Sequence, residues 1–145
     1  MNSTKLRRTV SEKLFGKIVS GFTDNIEPFL NPTDKIIDLG AGTCLFTRLI
    51  KDKGYDVQAI DIKNRSYYQD IKIRIYDGKN LPYKDNEFTV CLLRSVLHHL
   101  KNPELVLKEA IRVSQKLVIH ENVTTNIFQK YYTFLVDIIM NRELL

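Results

Sequence analysis

The stretch that most constrains this chain is Lys35-Ile36-Ile37-Asp38-Leu39, followed at once by Gly40-Ala41-Gly42-Thr43-Cys44. A short apolar run, closed by an acid and a glycine-bearing turn, reads as a buried strand that hands over to a helix. The helix follows as Leu45–Lys53, with Leu45, Leu49 and Ile50 inward and Gly54 as its stop. The same alternation repeats along the chain. Asp56–Ile60 reads as a second strand closed by Asp61, and Ile71–Tyr76 as a third, followed by Asp77-Gly78. Phe88–Leu93 is a fourth and Leu117–His120 a fifth, with the helix Pro103–Val113 between them. Residues 63–70 are polar, with room for one or two helical turns. Apolar runs alternating with amphipathic stretches are the pattern of βαβ units around a parallel sheet, with right-handed crossovers.

Two helices are expected ahead of this core. One spans 4–20, with Leu6, Val10, Leu14, Ile18 and Val19 near one face; the other spans roughly 23–30 and stops at Asn31-Pro32. After the core, Ile127–Leu144 reads as a helix that is apolar on nearly every side. The chain therefore divides into N-terminal helices (1–30), a core (35–121) and a C-terminal helix (127–144) within one domain of 145 residues. With 43% hydrophobic and 27% charged residues it is neither disordered nor low-complexity. No apolar window of about eighteen residues is present to span a bilayer, and the basic N-terminus lacks the apolar region of a secretory signal.

Cys44 and Cys91 stand far apart and form neither a metal spacing nor a disulfide framework, so no metal is expected and a reducing, cytoplasmic setting is. The net charge is +5, and Lys5, Arg7, Arg8, Lys13 and Lys17 against Glu12 place +4 of it in residues 1–20. Such a face suits an anionic surface, although a solvated helix face is the plainer reading.

Ligands of an open parallel sheet bind beyond the carboxyl ends of its strands, where strand order reverses. Asp38 and Gly40, Asp61, Asp77, and Arg94 with Ser95 stand at four such ends. The glycine turn is no dinucleotide fingerprint, because position 45 is leucine, and no Gly-Lys-Ser/Thr makes it a phosphate loop. Asp61 lies about twenty residues beyond the turn, where an acid accepts hydrogen bonds from two vicinal ribose hydroxyls.

Taken together, Ile37-Asp38-Leu39-Gly40-Ala41-Gly42, Ala59-Ile60-Asp61, Asp77-Gly78 with Leu81-Pro82-Tyr83, and Leu97-His98-His99-Leu100 resemble class I S-adenosylmethionine-dependent methyltransferases. The likeness is to the small-molecule and quinone-type group, covers about residues 30–121, and includes Glu109, Arg112 and Val113. It implies an α/β, Rossmann-like, doubly wound sheet in order 3-2-1-4-5. It also implies methyl transfer from S-adenosyl-L-methionine to a small-molecule acceptor, with S-adenosyl-L-homocysteine as product.

By position, Gly40, Ala41 and Gly42 would lie against the methionine part of the cofactor, with Asp38 turned towards it. Asp61 would bind the ribose, with Ile62 beside it, while Asp77 and Gly78 would meet the adenine. Arg94 and Ser95 would flank the sulfonium. His98 and His99 are the candidates for a base or acceptor contact, His98 fitting the family position better. Phe22, Tyr67 and Tyr68 are lesser candidates, such residues being more often core.

The chain departs from the pattern in three places. Cys44 stands where the family has a third glycine, and Ser114-Gln115-Lys116 replaces a Pro-Gly-Gly turn. The sequence also stops short of the strand 6–7 hairpin, as a naturally abbreviated protein or a fragment would. Without that hairpin, the apolar 127–144 segment and an open fifth strand lead to the expectation of a homodimer. Two other readings stand beside the enzyme. One is a cofactor-binding interaction protein without catalysis. The other is an RNA methyltransferase, disfavoured because Arg94-Ser95-Val96-Leu97 is not an amino-group motif and no stacking platform is visible.

Overall fold

The computed structural model describes residues 3–121. Its centre is a five-stranded parallel sheet in the order β3-β2-β1-β4-β5, as expected. The strands are β1 (Lys35–Leu39), β2 (Asp56–Asp61), β3 (Ile73–Ile75), β4 (Phe88–Arg94) and β5 (Ser114–His120). Three helices accompany them: α1 (Ser3–Ile26), α2 (Leu45–Asp52) and α3 (Pro103–Val113). Order reverses at β1, which pairs with β2 on one side and β4 on the other; Asp38 stands level with Ala59 and Leu92.

The central strands are buried on both faces because both faces are covered. Ile36, Val90 and Leu92 meet Leu45, Phe46 and Ile50 of α2 and Val19 and Ile26 of α1. On the opposite face Ile37, Leu39, Cys91 and Leu93 pack with Val106, Ala110 and Val113 of α3. Adjacent strand residues thus feed different cores, which is why β1 and β4 read as near-continuous apolar runs.

Four expectations need correction. The two N-terminal helices are one. α1 runs unbroken to Ile26, and a 3-10 turn, Glu27–Phe29, follows where Pro28 ends the α-helical ladder. Gly21, one of the two residues between the expected helices, costs only about 1 kcal/mol in a helix interior, too little to break it. The expected apolar face also fails in the first half, since Leu6 and Val10 are 49% and 43% exposed. That half is tied down instead by Glu12, which accepts the Tyr68 hydroxyl at 2.9 Å. Finally, residues 63–70 form turns and bends rather than helix, and β3 is limited to three residues, with Ile71 buried in the preceding turn.

β5 begins directly after α3, so the Ser114-Gln115-Lys116 segment is strand rather than turn. Ser114 is buried and its hydroxyl donates to the Ala110 carbonyl at 2.6 Å. The 127–144 segment and the dimer expected of it lie outside the described residues. Among the described residues, no helix is long and apolar enough to cross a membrane, and no cluster of His, Cys, Asp or Glu is arranged to hold a metal.

Candidate active site

The turn from β1 into α2 is built on left-handed backbone. Gly40 has φ +81° and Gly42 φ +54°, conformations that glycine adopts without penalty. The Gly40 N–H donates to the Ile60 carbonyl at 2.9 Å and that of Ala41 to the same oxygen at 3.2 Å, fastening the turn to β2. A Cβ at Gly40 would stand 2.5 Å from Val96 Cγ2, so the turn admits the segment after β4 only because it has no side chain. At Gly42 a Cβ would meet nothing nearer than 3.9 Å, leaving its open side to the cleft.

Asp61 closes β2 beside this turn and is only 4% exposed. Its Oδ2 accepts the Gly42 N–H at 2.8 Å and its Oδ1 the Lys63 N–H at 3.1 Å, with Arg65 Nη2 at 3.9 Å from Oδ1. A carboxylate offers about four acceptor positions, so two remain after the backbone bonds. That acceptor set suits the two hydroxyls of a diol, which would donate to it. Gly40, Gly42, Asp61, Ile62, Arg65, Tyr76, Ser95, Val96, His99 and Leu100 line an open cleft.

Asp38 sits behind the turn, 3% exposed, and its Oδ2 accepts the Thr47 hydroxyl at 2.5 Å. Burial lifts its carboxyl from an ordinary 3.8 to about 6, with the Thr47 bond and the Arg94 charge opposing the rise. The folded chain therefore binds this proton more tightly than the unfolded chain. The associated stability is fully present below the unfolded value and is lost as pH rises through about 6. Ionising Asp38 then costs the folded state on the order of 3 kcal/mol. Asp38→Asn should abolish this contribution. Urea unfolding from pH 4 to 7.5 should show wild type losing stability relative to the variant, and parallel curves would refute the assignment.

Of the residues nominated from sequence, Gly40, Gly42, Asp61, Ile62, Ser95 and His99 meet at the cleft. Ala41 is buried in the turn, and Gly78 stands just beyond the wall, where a Cβ would touch Ile62 Cγ2 at 3.3 Å. Asp77 is exposed and turned to its own loop, accepting the N–H groups of Lys79 at 2.8 Å and Asn80 at 2.7 Å. These bonds hold its carboxyl below the usual range, that from the Asn80 backbone first.

Arg94 points to the α1–α2 face, its guanidinium 5.3 Å from the Phe46 ring and 5.8 Å from that of Phe22. His99 lines the cleft and His98 does not. Their rings lie 3.9 Å apart, and His98 Nδ1 is 2.7 Å from Glu121 Oε2. Cys44 immediately precedes α2, yet the helix terminus does not activate its thiol. Its side chain is fully buried in the core, and burial pushes the thiol up to about 11. The missing glycine shows instead as Cys44 at φ 60°, a conformation that a β-carbon makes costly. Tyr68 is likewise core, while Phe22 stacks on His120 at 4.3 Å.

Sequence reasoning missed Arg65, Tyr76, Val96 and Leu100 on the cleft wall, and Glu121 behind it. Tyr76 was legible only as the end of a strand. Val96 was legible only as the neighbour of Ser95.

A parallel sheet in this order, with a glycine turn and an acid at adjacent strand ends, defines a Rossmann-like domain. Residues 37–117, more than half of the chain, match the family model described as "Methyltransferase domain", and the chain belongs to that family. It is 32% identical over 99 residues to a demethylmenaquinone methyltransferase of Corynebacterium urealyticum, covering 63% of this chain and 43% of that one. The chain spans less than half the length of the curated relatives it matches.

Among solved structures, a SAM-dependent methyltransferase of Thermotoga maritima shares the fold with a TM-score of 0.63 at 19% identity, covering 95% of this chain and 70% of that one. A protein of Methanococcus maripaludis assigned as an S-adenosyl-L-methionine-dependent methyltransferase gives 0.67 at 18% identity, covering 97% and 71%.

Proposed function

We propose that this chain binds S-adenosyl-L-methionine and directs its methyl group to a small-molecule acceptor. The observation that carries the reading is the buried Asp61 carboxylate, fixed against the Gly42 N–H inside an open cleft at the point where strand order reverses. Asp61 would hold the ribose hydroxyls, the Gly40–Gly42 turn would bear on the methionine part, and Ile62 with Gly78 would flank the adenine. When bound, the cofactor supplies a methyl group already activated by a cationic sulfur.

The protein's task is alignment. Orientation of two reactants supplies roughly 7–11 kcal/mol of a barrier without any base. His99, on the cleft wall with Val96 and Leu100, would contact the acceptor, and His98 packs on its ring. The proposal extends to a reducing, cytoplasmic setting and to a homodimer through residues 127–144, both resting on the sequence.

Calorimetric titration with S-adenosyl-L-methionine, S-adenosyl-L-homocysteine and NAD tests the cofactor class. Saturable binding of the first two and none of the third is expected; NAD binding of comparable strength would overturn it. Incubation with methyl-labelled cofactor and a cell extract then identifies the acceptor by the fraction that takes the label. Label in RNA rather than in small molecules would refute the acceptor class.

A further inference from the structure

The segment after β4 carries four residues of the cleft wall, yet few of its own backbone bonds hold it in place. Ser95 has φ +53° and its N–H donates to the His120 carbonyl at 2.8 Å. The following 3-10 turn, Leu97–His99, has no side-chain cap of its own. Its first N–H groups are met from the far end of the next strand. Glu121, just beyond β5, accepts the Val96 N–H at 2.8 Å and the Leu97 N–H at 2.9 Å on Oε1. Its other oxygen, Oε2, lies 2.7 Å from His98 Nδ1.

Burial opposes charge on this carboxyl, but the bonds from His98 and from the Leu97 and Val96 backbone hold it below the usual range. Glu121 is therefore an anion that can only accept hydrogen bonds. The ring nitrogen that faces it must carry the proton, which leaves the lone pair of neutral His98 on Nε2. His98 in turn packs against the His99 ring on the cleft wall.

We propose that Glu121 is a positioning residue for the acceptor side of the site. One carboxylate oxygen sets the 96–99 turn and the other fixes His98 as the Nδ1–H tautomer, so that the His99 ring is buttressed where it meets the cleft. This inference rests on the functional reading above for its purpose, though not for its geometry.

The chain has three histidines, so long-range proton–nitrogen spectra of the full chain, assigned with His99→Ala and His120→Ala, can read the His98 tautomer directly. At a pH where the ring is neutral, wild type is expected to show Nδ1–H. In Glu121→Gln, the amide oxygen can keep the Val96 and Leu97 bonds while the amide N–H₂ donates to Nδ1, moving the ring proton to Nε2. Amide exchange at Val96 and Leu97 should stay near wild type in Glu121→Gln. In Glu121→Ala it should rise at least about tenfold, the equivalent of one charge-assisted bond.

An Nε2–H ring in wild type, an unchanged tautomer in Glu121→Gln, or unmoved exchange in Glu121→Ala would each overturn the proposal. If the alanine variant does not fold, the glutamine variant alone decides. Absence of S-adenosyl-L-methionine binding to wild type would defeat the functional reading while leaving the tautomer result standing.

Discussion

Replacing Arg112 with alanine is expected to be among the most destabilising single changes away from the apolar core. Its guanidinium forks onto Glu109, Nε to Oε1 and Nη2 to Oε2, both at 2.7 Å. The same group donates to the Tyr83 carbonyl at 2.8 Å, the Leu81 carbonyl at 2.9 Å and Asp85 Oδ1 at 2.9 Å. Glu109 completes the knot by accepting the Leu81 N–H at 2.7 Å. One side chain thus ties the 81–86 loop to α3 and seats Leu81, 3% exposed, in the core.

Alanine would strand two carbonyls and half of a bidentate pair. Each bond to a charged group is worth about 1.5–3 kcal/mol when desolvated. Solvent reaches 32% of the Arg112 side chain, which screens the sum, so the expected loss is about 3 kcal/mol. For a chain of this size that lowers Tm by roughly 10 °C. Arg112→Lys should recover less than half, because a single ammonium cannot replace a planar fork. A thermal midpoint within about 2 °C of wild type for Arg112→Ala would refute the role.

The sheet was legible because burial on both faces leaves a plain mark, and the ranges of β1 and α3 match those read from the sequence. α1 was divided wrongly for a physical reason. Gly21 signals a break only where tertiary contacts do not sustain the helix, and here Val19, Thr23 and Ile26 are all buried on either side of it.

The site divides in the same way. The two glycines were readable because the turn that needs them is local, and Asp61 because the end of the next strand falls at a regular spacing after that turn. Adjacent histidines on a 3-10 turn give no clue to which one faces the cleft, since no periodicity separates them. Glu121 meets His98 across 23 residues, a distance at which sequence pattern carries nothing. Cys44 shows the limit of a local rule: a helix N-terminus favours a thiolate, but burial that only the packed structure reveals outweighs it.

Asp61→Ala should weaken S-adenosyl-L-methionine at least about tenfold, some 1.4 kcal/mol. Two losses add. The ribose hydroxyls would no longer meet a charged acceptor, and hydrogen bonds to charged partners are about twice as strong as neutral ones. The Gly42 N–H, held at 2.8 Å by Oδ2, and the Lys63 N–H, held at 3.1 Å by Oδ1, would also lose their partners. The turn would then present a less ordered surface to the methionine part.

Asp61→Asn separates these contributions. Its single carbonyl oxygen can still accept from one backbone N–H, but its amide nitrogen faces the other donor and its charge is gone. An intermediate affinity is therefore expected, with circular dichroism unchanged in both variants. Because Asp61 is buried beneath the turn, the alanine variant should also unfold at lower urea concentration, whereas saturating cofactor should restore less stability to it than to wild type. Calorimetry that finds the same affinity in wild type and Asp61→Ala, with both folded, would refute the ribose assignment and with it the orientation of the cofactor in this cleft.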